Sequence, residues 1–249
     1  MERVALVTGG GRGIGREIAL AFARQGLAVA VGGRHLESLA ETADEARALD
    51  ARALAVELDV TDAETVHAAY ARVAAELGPV DVLVNNAGIA ESAPFARTDA
   101  ALWDRHLRVN VTGPYLCTRE ALAGMLARGW GRVINVASLA GLFGAPYVTA
   151  YTASKHALVG LTRALAAEVS GKGVTVNAIC PGYVATDMTW NGARNIARRT
   201  ARSFEDSVAA MARMNPGGRL IEPAEVAAVA VKLLVDDTTN GETIVLDGS

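Results

Sequence analysis

Short β-branched apolar runs recur along this chain, each followed by an alanine-rich stretch with helical spacing. Runs over 3–8, 27–31, 53–58, 81–85, 132–137, 175–179 and 243–246 read as strands. Between them, apolar positions repeat with a helical period near 14–25, 36–49, 63–77, 100–127, 153–169 and 223–235. Strands apolar on both faces and alternating with helices predict a parallel sheet covered on two sides. Seven strands with right-handed crossovers make an α/β fold: a doubly wound, seven-stranded parallel sheet of the Rossmann type. One segment breaks the alternation. Residues 186–216 are too long for an ordinary connection between the sixth strand and the last helix, so a helical substrate lid is expected there, within a single domain over 1–249.

Several function classes are disfavoured by composition. A net charge of −3 offers no attraction to nucleic acid or to an anionic membrane. No apolar run is long enough to span a bilayer, and with the strand pattern beginning at Val4 no signal segment is expected. Cys117 and Cys180 lie far apart in apolar surroundings and read as reduced core residues. His35, His67 and His106 lack metal-ligand spacing, and no metal is implied. The expected compartment is the cytoplasm.

The first strand runs into Thr8-Gly9-Gly10-Gly11-Arg12-Gly13-Ile14-Gly15, which opens the first helix. Glycines at Gly9, Gly11, Gly13 and Gly15 allow a tight turn and a close approach of backbone to a pyrophosphate, which the helix N-terminus then attracts. The spacing is Gly-x-x-x-Gly-x-Gly. At the end of the second strand, a carboxylate would bond the ribose hydroxyls of NAD. This chain has Val31-Gly32-Gly33-Arg34 instead. Arg34 can fork onto a 2′-phosphate and Arg12 can reach the same group, so NADP(H) is expected ahead of NAD(H).

Only three lysines occur, and Lys155 stands four residues after Tyr151. On a helix these positions share a face, so an ammonium beside a phenol is expected to lower its pKa and make it a usable general acid or base. Ser138, just past the fifth strand, falls at the carboxyl edge where such sheets bind ligands.

The glycine loop, Asp59-Val60, Asn85-Asn86-Ala87-Gly88, Asn110, Ser138, Tyr151-x-x-x-Lys155 and Pro181-Gly182, in that order, resemble the short-chain dehydrogenase/reductase family over essentially the whole chain. Ser138 precedes Tyr151 by thirteen residues, as that pattern requires. The resemblance implies a catalytic set of Asn110, Ser138, Tyr151 and Lys155, with Asn110 holding a water that links Lys155 to solvent. It further implies that Asp59 bonds the adenine amine beside the Val60 backbone, and that Asn86, Ala87 and Gly88 line the adenosine side. Lys155 would bond the nicotinamide ribose, the backbone near Val184 and the Thr186 hydroxyl would hold the carboxamide, and Gly182 would let the chain pass the ring. It is closest to 3-oxoacyl-thioester reductases and polyketide ketoreductases, and family members are usually homotetramers.

The expected reaction is NADPH-dependent reduction of a ketone to a secondary alcohol, with Tyr151 as proton donor and Ser138 bonding the developing alkoxide. Tyr147, which lacks a lysine four residues on, is expected to line the substrate pocket together with Trp190 of the lid. Arg194, Arg198 and Arg202 recur at helical spacing with Arg199 alongside, a basic stripe suited to the phosphates of coenzyme A or a carrier-bound pantetheine arm. Two other readings stand beside this one: an NAD-dependent dehydrogenase of a secondary alcohol or hydroxyacyl-CoA, and a catalytically silent nucleotide-binding regulator.

Overall fold

The computed structural model describes residues 2–249, with Met1 outside the described residues. The strands are β1 (Val4–Thr8), β2 (Ala28–Gly33), β3 (Ala53–Glu57), β4 (Val80–Asn85), β5 (Gly131–Val136), β6 (Val174–Pro181) and β7 (Thr243–Leu246). They form one sheet in the order β3-β2-β1-β4-β5-β6-β7, and every neighbouring pair is parallel. The doubly wound sheet expected from the alternation is therefore present.

The helices are α1 (Gly13–Arg24), α2 (Leu36–Arg47), α3 (Ala63–Glu76), α4 (Ala100–Leu107), α5 (Gly113–Arg128), α6 (Thr149–Glu168), α7 (Asp187–Arg199), α8 (Phe204–Ala212) and α9 (Pro223–Val235). Strand pleating sends alternate residues to opposite faces. Ala5 and Val7 of β1 join Ile18 and Phe22 of α1 and Val226 and Leu233 of α9. Val4 and Leu6 instead join Val66 and Val73 of α3 and Cys117 and Met125 of α5. Each fully buried Val, Leu or Phe side chain stabilises by roughly 1.5–3 kcal/mol relative to exposure, which is why both faces must be covered.

Local chemistry sets the helix starts. The Asp62 carboxylate accepts from Glu64 N–H to begin α3, and Asp99 accepts from Leu102 N–H at 2.7 Å to begin α4. Glu222 and Glu225 form a capping box around Pro223 at the head of α9.

Two helices differ from expectation. The stretch 100–127 is not one helix: a π turn, Arg108–Thr112, separates α4 from α5. Pro114 has no N–H to offer the Asn110 carbonyl four residues back, so regular α-helical bonding fails there. The helix expected from residue 153 begins at Thr149, which places Tyr151 in its first turn. The segment 186–216 holds the two helices α7 and α8.

Candidate active site

Between β1 and β4 the strand order reverses, opening a crevice at their carboxyl ends. Asn86, just past β4, stitches its two sides together. Its Nδ2 donates to Thr8 O at 2.9 Å and Gly9 O at 3.1 Å, while Thr8 Oγ1 accepts from the N–H groups of Asn86 and Ala87. The glycines around this seam have different duties. A Cβ on Gly15 would lie 2.3 Å from Gly9 O, and one on Gly11 would strike Ser38 Oγ of α2 at 2.5 Å. Gly9 and Gly13 take positive φ, +64° and +52°. Arg12 is the N-cap of α1 and its side chain makes no capping bond, so the first-turn N–H groups, including those of Gly13, Ile14 and Gly15, keep their donors for another acceptor. Ile14 packs its side chain on the core. A bare glycine loop over an uncapped helix start fits a diphosphate.

The adenosine end lies beyond β2. No carboxylate follows Val31-Gly32-Gly33, and exposed Arg34 stands near Asp59. Partial burial pushes the Asp59 carboxyl upward, but hydrogen bonds from the Thr61 N–H and hydroxyl, with the Arg34 charge, leave it below its ordinary value. Val60 is buried against Gly113, whose Cβ would come within 2.8 Å of it. Arg12 is turned the other way, with Nη1 3.2 Å from Asp187 Oδ2 in the first turn of α7.

Pro181 ends β6, and Gly182 passes tightly against Asn215, where a Cβ would fall 2.2 Å from Oδ1. Asn215 is buried and behaves like a strand partner: Oδ1 accepts from Tyr183 N–H at 2.8 Å and Nδ2 donates to Tyr183 O at 3.0 Å. Val184 bridges Ile221, and Thr186 leads into α7, its methyl within 3.2 Å of a Cβ on Gly13. The segment from Gly182 to Thr186 is thus held between the glycine loop and the far end of the two-helix segment. Nothing in a lone Asn-Pro pair signals Asn215 in the sequence.

Beyond β5, Ser138 begins a 3-10 turn over Leu139–Gly141, its Oγ accepting from Ala140 N–H at 3.1 Å. Tyr151 and Lys155 follow on adjacent turns of α6, with Nζ 5.7 Å from the phenol ring centroid. Lys155 is buried, and Nζ donates to Val136 O at 2.8 Å. The expected lowering of the phenol pKa is not what the surroundings produce. Tyr151 keeps part of its surface accessible, yet crowding by protein raises its pKa, with Tyr183 and Cys180 adding to the rise. A hydrogen bond from Ser138 pulls the other way. Burial also brings the Lys155 ammonium down to about 8. Desolvation disfavours both charged forms here. The result is a phenol held in its protonated, donating form.

Asn110, in the π turn, is buried with all its amide atoms engaged. Oδ1 accepts from Ile89 N–H at 2.9 Å, and Nδ2 donates to Ile89 O and Ser154 Oγ at 3.0 Å each. A Cβ on Gly88 would touch Asn110 Oδ1 at 3.3 Å and Lys155 Nζ at 3.7 Å, so these groups share one small space. A buried ladder, Thr118–Asn85–Asn135–Thr162, ties α5, β4, β5 and α6 and sets the depth of α6 against the sheet. Tyr147 is exposed at φ +67°, its carbonyl accepting from Ala93 N–H at 2.8 Å. Trp190 is half-buried on α7. Arg198 is exposed, bonded to Asn195 on its own helix. Its stripe neighbour Arg194 lies over the Phe204 ring of α8 at 5.7 Å. Arg202 does not continue the stripe, because the chain turns extended at Thr200 and α7 ends at Arg199. His156 is exposed and turned back on Thr152 O. Among the described residues, no group of three or more His, Cys, Asp and Glu could hold a metal, and no helix is long and apolar enough to cross a membrane.

Comparison with known proteins agrees with this arrangement. The family model described as short chain dehydrogenase matches residues 3–197. An acetoacetyl-CoA reductase of Rhizobium meliloti is 38% identical across 100% of this chain and 98% of its own length. A cis-4-hydroxycyclohexanecarboxylate dehydrogenase of Sinomonas cyclohexanicum is 42% identical, covering 99% of this chain and 96% of that protein. Among solved structures, a substituted actinorhodin polyketide ketoreductase with NADPH superposes with a TM-score of 0.95 at 37% identity, over 99% of this chain and 96% of that one.

Proposed function

The chain belongs to the short-chain dehydrogenase/reductase family of oxidoreductases, which use nicotinamide cofactors, and on that premise we propose that it reduces a ketone to a secondary alcohol with NADPH. The observation that carries this reading is the Ser138–Tyr151–Lys155 cluster at the carboxyl edge of β5, where Lys155 Nζ lies 5.7 Å from the phenol ring and is anchored to Val136 O. When bound, the reduced nicotinamide supplies hydride to the carbonyl carbon. Tyr151 gives its proton to the carbonyl oxygen as negative charge develops there, and the Ser138 hydroxyl donates a second hydrogen bond to it. Lys155 then restores the phenol proton, and the Asn110 side chain, committed to Ile89 and Ser154, holds the backbone that borders it. The uncapped start of α1 would take the diphosphate, and Arg34 the 2′-phosphate at a β2 end that carries no carboxylate of its own.

A 3-oxoacyl thioester or polyketide-type ketone suits the site best. The similarity to an acetoacetyl-CoA reductase and to a polyketide ketoreductase supports this, as does the exposed arginine stripe of α7, which suits the phosphates of a coenzyme A or pantetheine arm. A second reading, oxidation of a secondary alcohol, draws on the relative that is a hydroxycyclohexanecarboxylate dehydrogenase. The same reading takes the enzyme to be a cytoplasmic homotetramer, with Cys117 and Cys180 reduced in its core.

NADPH consumption with ketone panels (acetoacetyl-CoA, ethyl acetoacetate, aryl ketones) tests the proposal. Tyr151→Phe is expected to lower kcat by about 10²–10⁴-fold while leaving NADPH affinity intact. Wild type and variant that bind nucleotide but are equally inert would leave only the regulatory reading.

A further inference from the structure

We propose that His106 is a positioning residue for the reaction, holding the wall formed by residues 89–93 against the Tyr151 ring; the catalytic consequence rests on the reductase reading above. His106 stands in the last turn of α4, just before the π turn, and is fully buried. Its Nδ1 bonds Leu102 O at 2.8 Å, and its Nε2 lies 3.1 Å from Glu91 N. A backbone N–H can only donate and a carbonyl can only accept, so the ring must be the neutral tautomer with its proton on Nδ1. Both nitrogens are thereby committed. The ring also packs against the Tyr151 ring in a T-shaped pair, with centroids 6.4 Å apart and an interplanar angle of 75°.

The segment it holds connects three parts of the site. At one end, Ile89 is clamped through both its N–H and its carbonyl by Asn110. In the middle, the Glu91 N–H is held by His106, and its carboxylate pairs with Arg105 at 3.2 Å. At the far end, Ala93 N–H donates to Tyr147 O, whose residue sits at positive φ two residues before α6 begins. Asn110 and His106 occupy consecutive turns around the π turn, so the irregular helix presents two buried clamps to one irregular strip of backbone. That strip runs from Gly88, next to Lys155, to Tyr147, four residues before Tyr151. Of these contacts, only the one from His106 reaches both the strip and the ring of the proton donor.

Two substitutions separate the hydrogen bond from the ring. His106→Phe keeps an aromatic ring beside Tyr151 but has no acceptor for Glu91 N–H. His106→Gln loses the ring but presents an amide oxygen near the Nε2 position. Amide hydrogen exchange over 89–93, NADPH affinity, Tm and kcat on whichever ketone of the panel wild type reduces fastest are measured for both. In His106→Phe, exchange over 89–93 is expected to speed up, and kcat to fall, by about tenfold each, the scale of one buried hydrogen bond. NADPH affinity stays within about twofold, and His106→Gln recovers both losses to within about threefold on the same scale.

If His106→Phe leaves exchange or kcat unchanged, the proposal is overturned. If His106→Gln falls as far as His106→Phe, ring packing is the role and the hydrogen bond is not. Parallel loss of NADPH affinity and Tm would make His106 a general folding residue, which also overturns it. Should wild type and Tyr151→Phe prove equally inert on every ketone, the reductase reading fails, and exchange over 89–93 alone decides whether His106 holds the wall.

Discussion

Lys155 Nζ donates to the carbonyl of Val136, the last residue of β5, at 2.8 Å. This bond fixes the ammonium at the carboxyl edge of the sheet, on the side where Ser138 follows two residues later. It also holds a charge where little water reaches it.

That burial has a pH signature. The folded-state pKa of Lys155 is about 8, below the ordinary 10.5 of an exposed lysine. Between those values the unfolded chain binds the proton and the folded chain does not, so stability rises with pH there. Below pH 8 the full penalty, up to about 3 kcal/mol, is present. Urea unfolding of wild type and Lys155→Met should show wild type gaining on the variant as pH climbs from 7 to 10. A difference constant with pH would mean the ammonium is well solvated.

Cofactor choice is expected to rest on Arg34. Arg34→Asp should lower the NADPH/NADH ratio of kcat/KM by about tenfold or more, the scale of a lost charge-assisted hydrogen bond. Asp187→Ala releases Arg12 from a pair whose members are 72% and 56% exposed, so stability should scarcely change. NADPH affinity should tighten a few-fold if the freed Arg12 turns to the 2′-phosphate, and isothermal titration would read it.

The α7 stripe predicts discrimination by substrate charge. Arg198→Glu should lower kcat/KM for acetoacetyl-CoA by roughly three- to tenfold, more at low salt, and leave ethyl acetoacetate unaffected. Equal loss on both substrates, or none on either, would remove the phosphate role from this helix.

Gly15→Ala places a methyl 2.3 Å from Gly9 O and 2.4 Å from Asn86 Nδ2, atoms of the seam between β1 and β4. Because backbone must move, a loss of about 1–3 kcal/mol is expected in urea unfolding. NADPH affinity should fall with it, since the same loop faces the diphosphate.

Much of this was legible in the primary structure. The strand–helix alternation predicts the observed parallel sheet because each element's apolar period reports which of its faces is covered. The glycine loop, the β2 end without a carboxylate and the Tyr-x-x-x-Lys pair were also readable, since their meaning depends on neighbours along the chain. Other features were not. The break at 108–112 has a local cause in Pro114, yet its use, turning Asn110 and His106 towards 89–93, requires knowing what packs there. Spacing alone made His106 a residue with no metal partners. Asn215 carried no signal, because its two bonds to Tyr183 span thirty-two residues.

What the sequence determined by itself is the sheet, its order of elements and the chemical types at its carboxyl edge, because periodicity and short motifs are properties of neighbouring residues. What only the tertiary structure decided is the direction in which the acidities of those groups shift. Proximity of Tyr151 and Lys155 on one helix face predicts an acidified phenol. Burial beside β5 and β6 reverses that, raising the phenol and lowering the ammonium to about 8. Loss of hydration depends on every element that closes around a group, and no spacing between two residues encodes it.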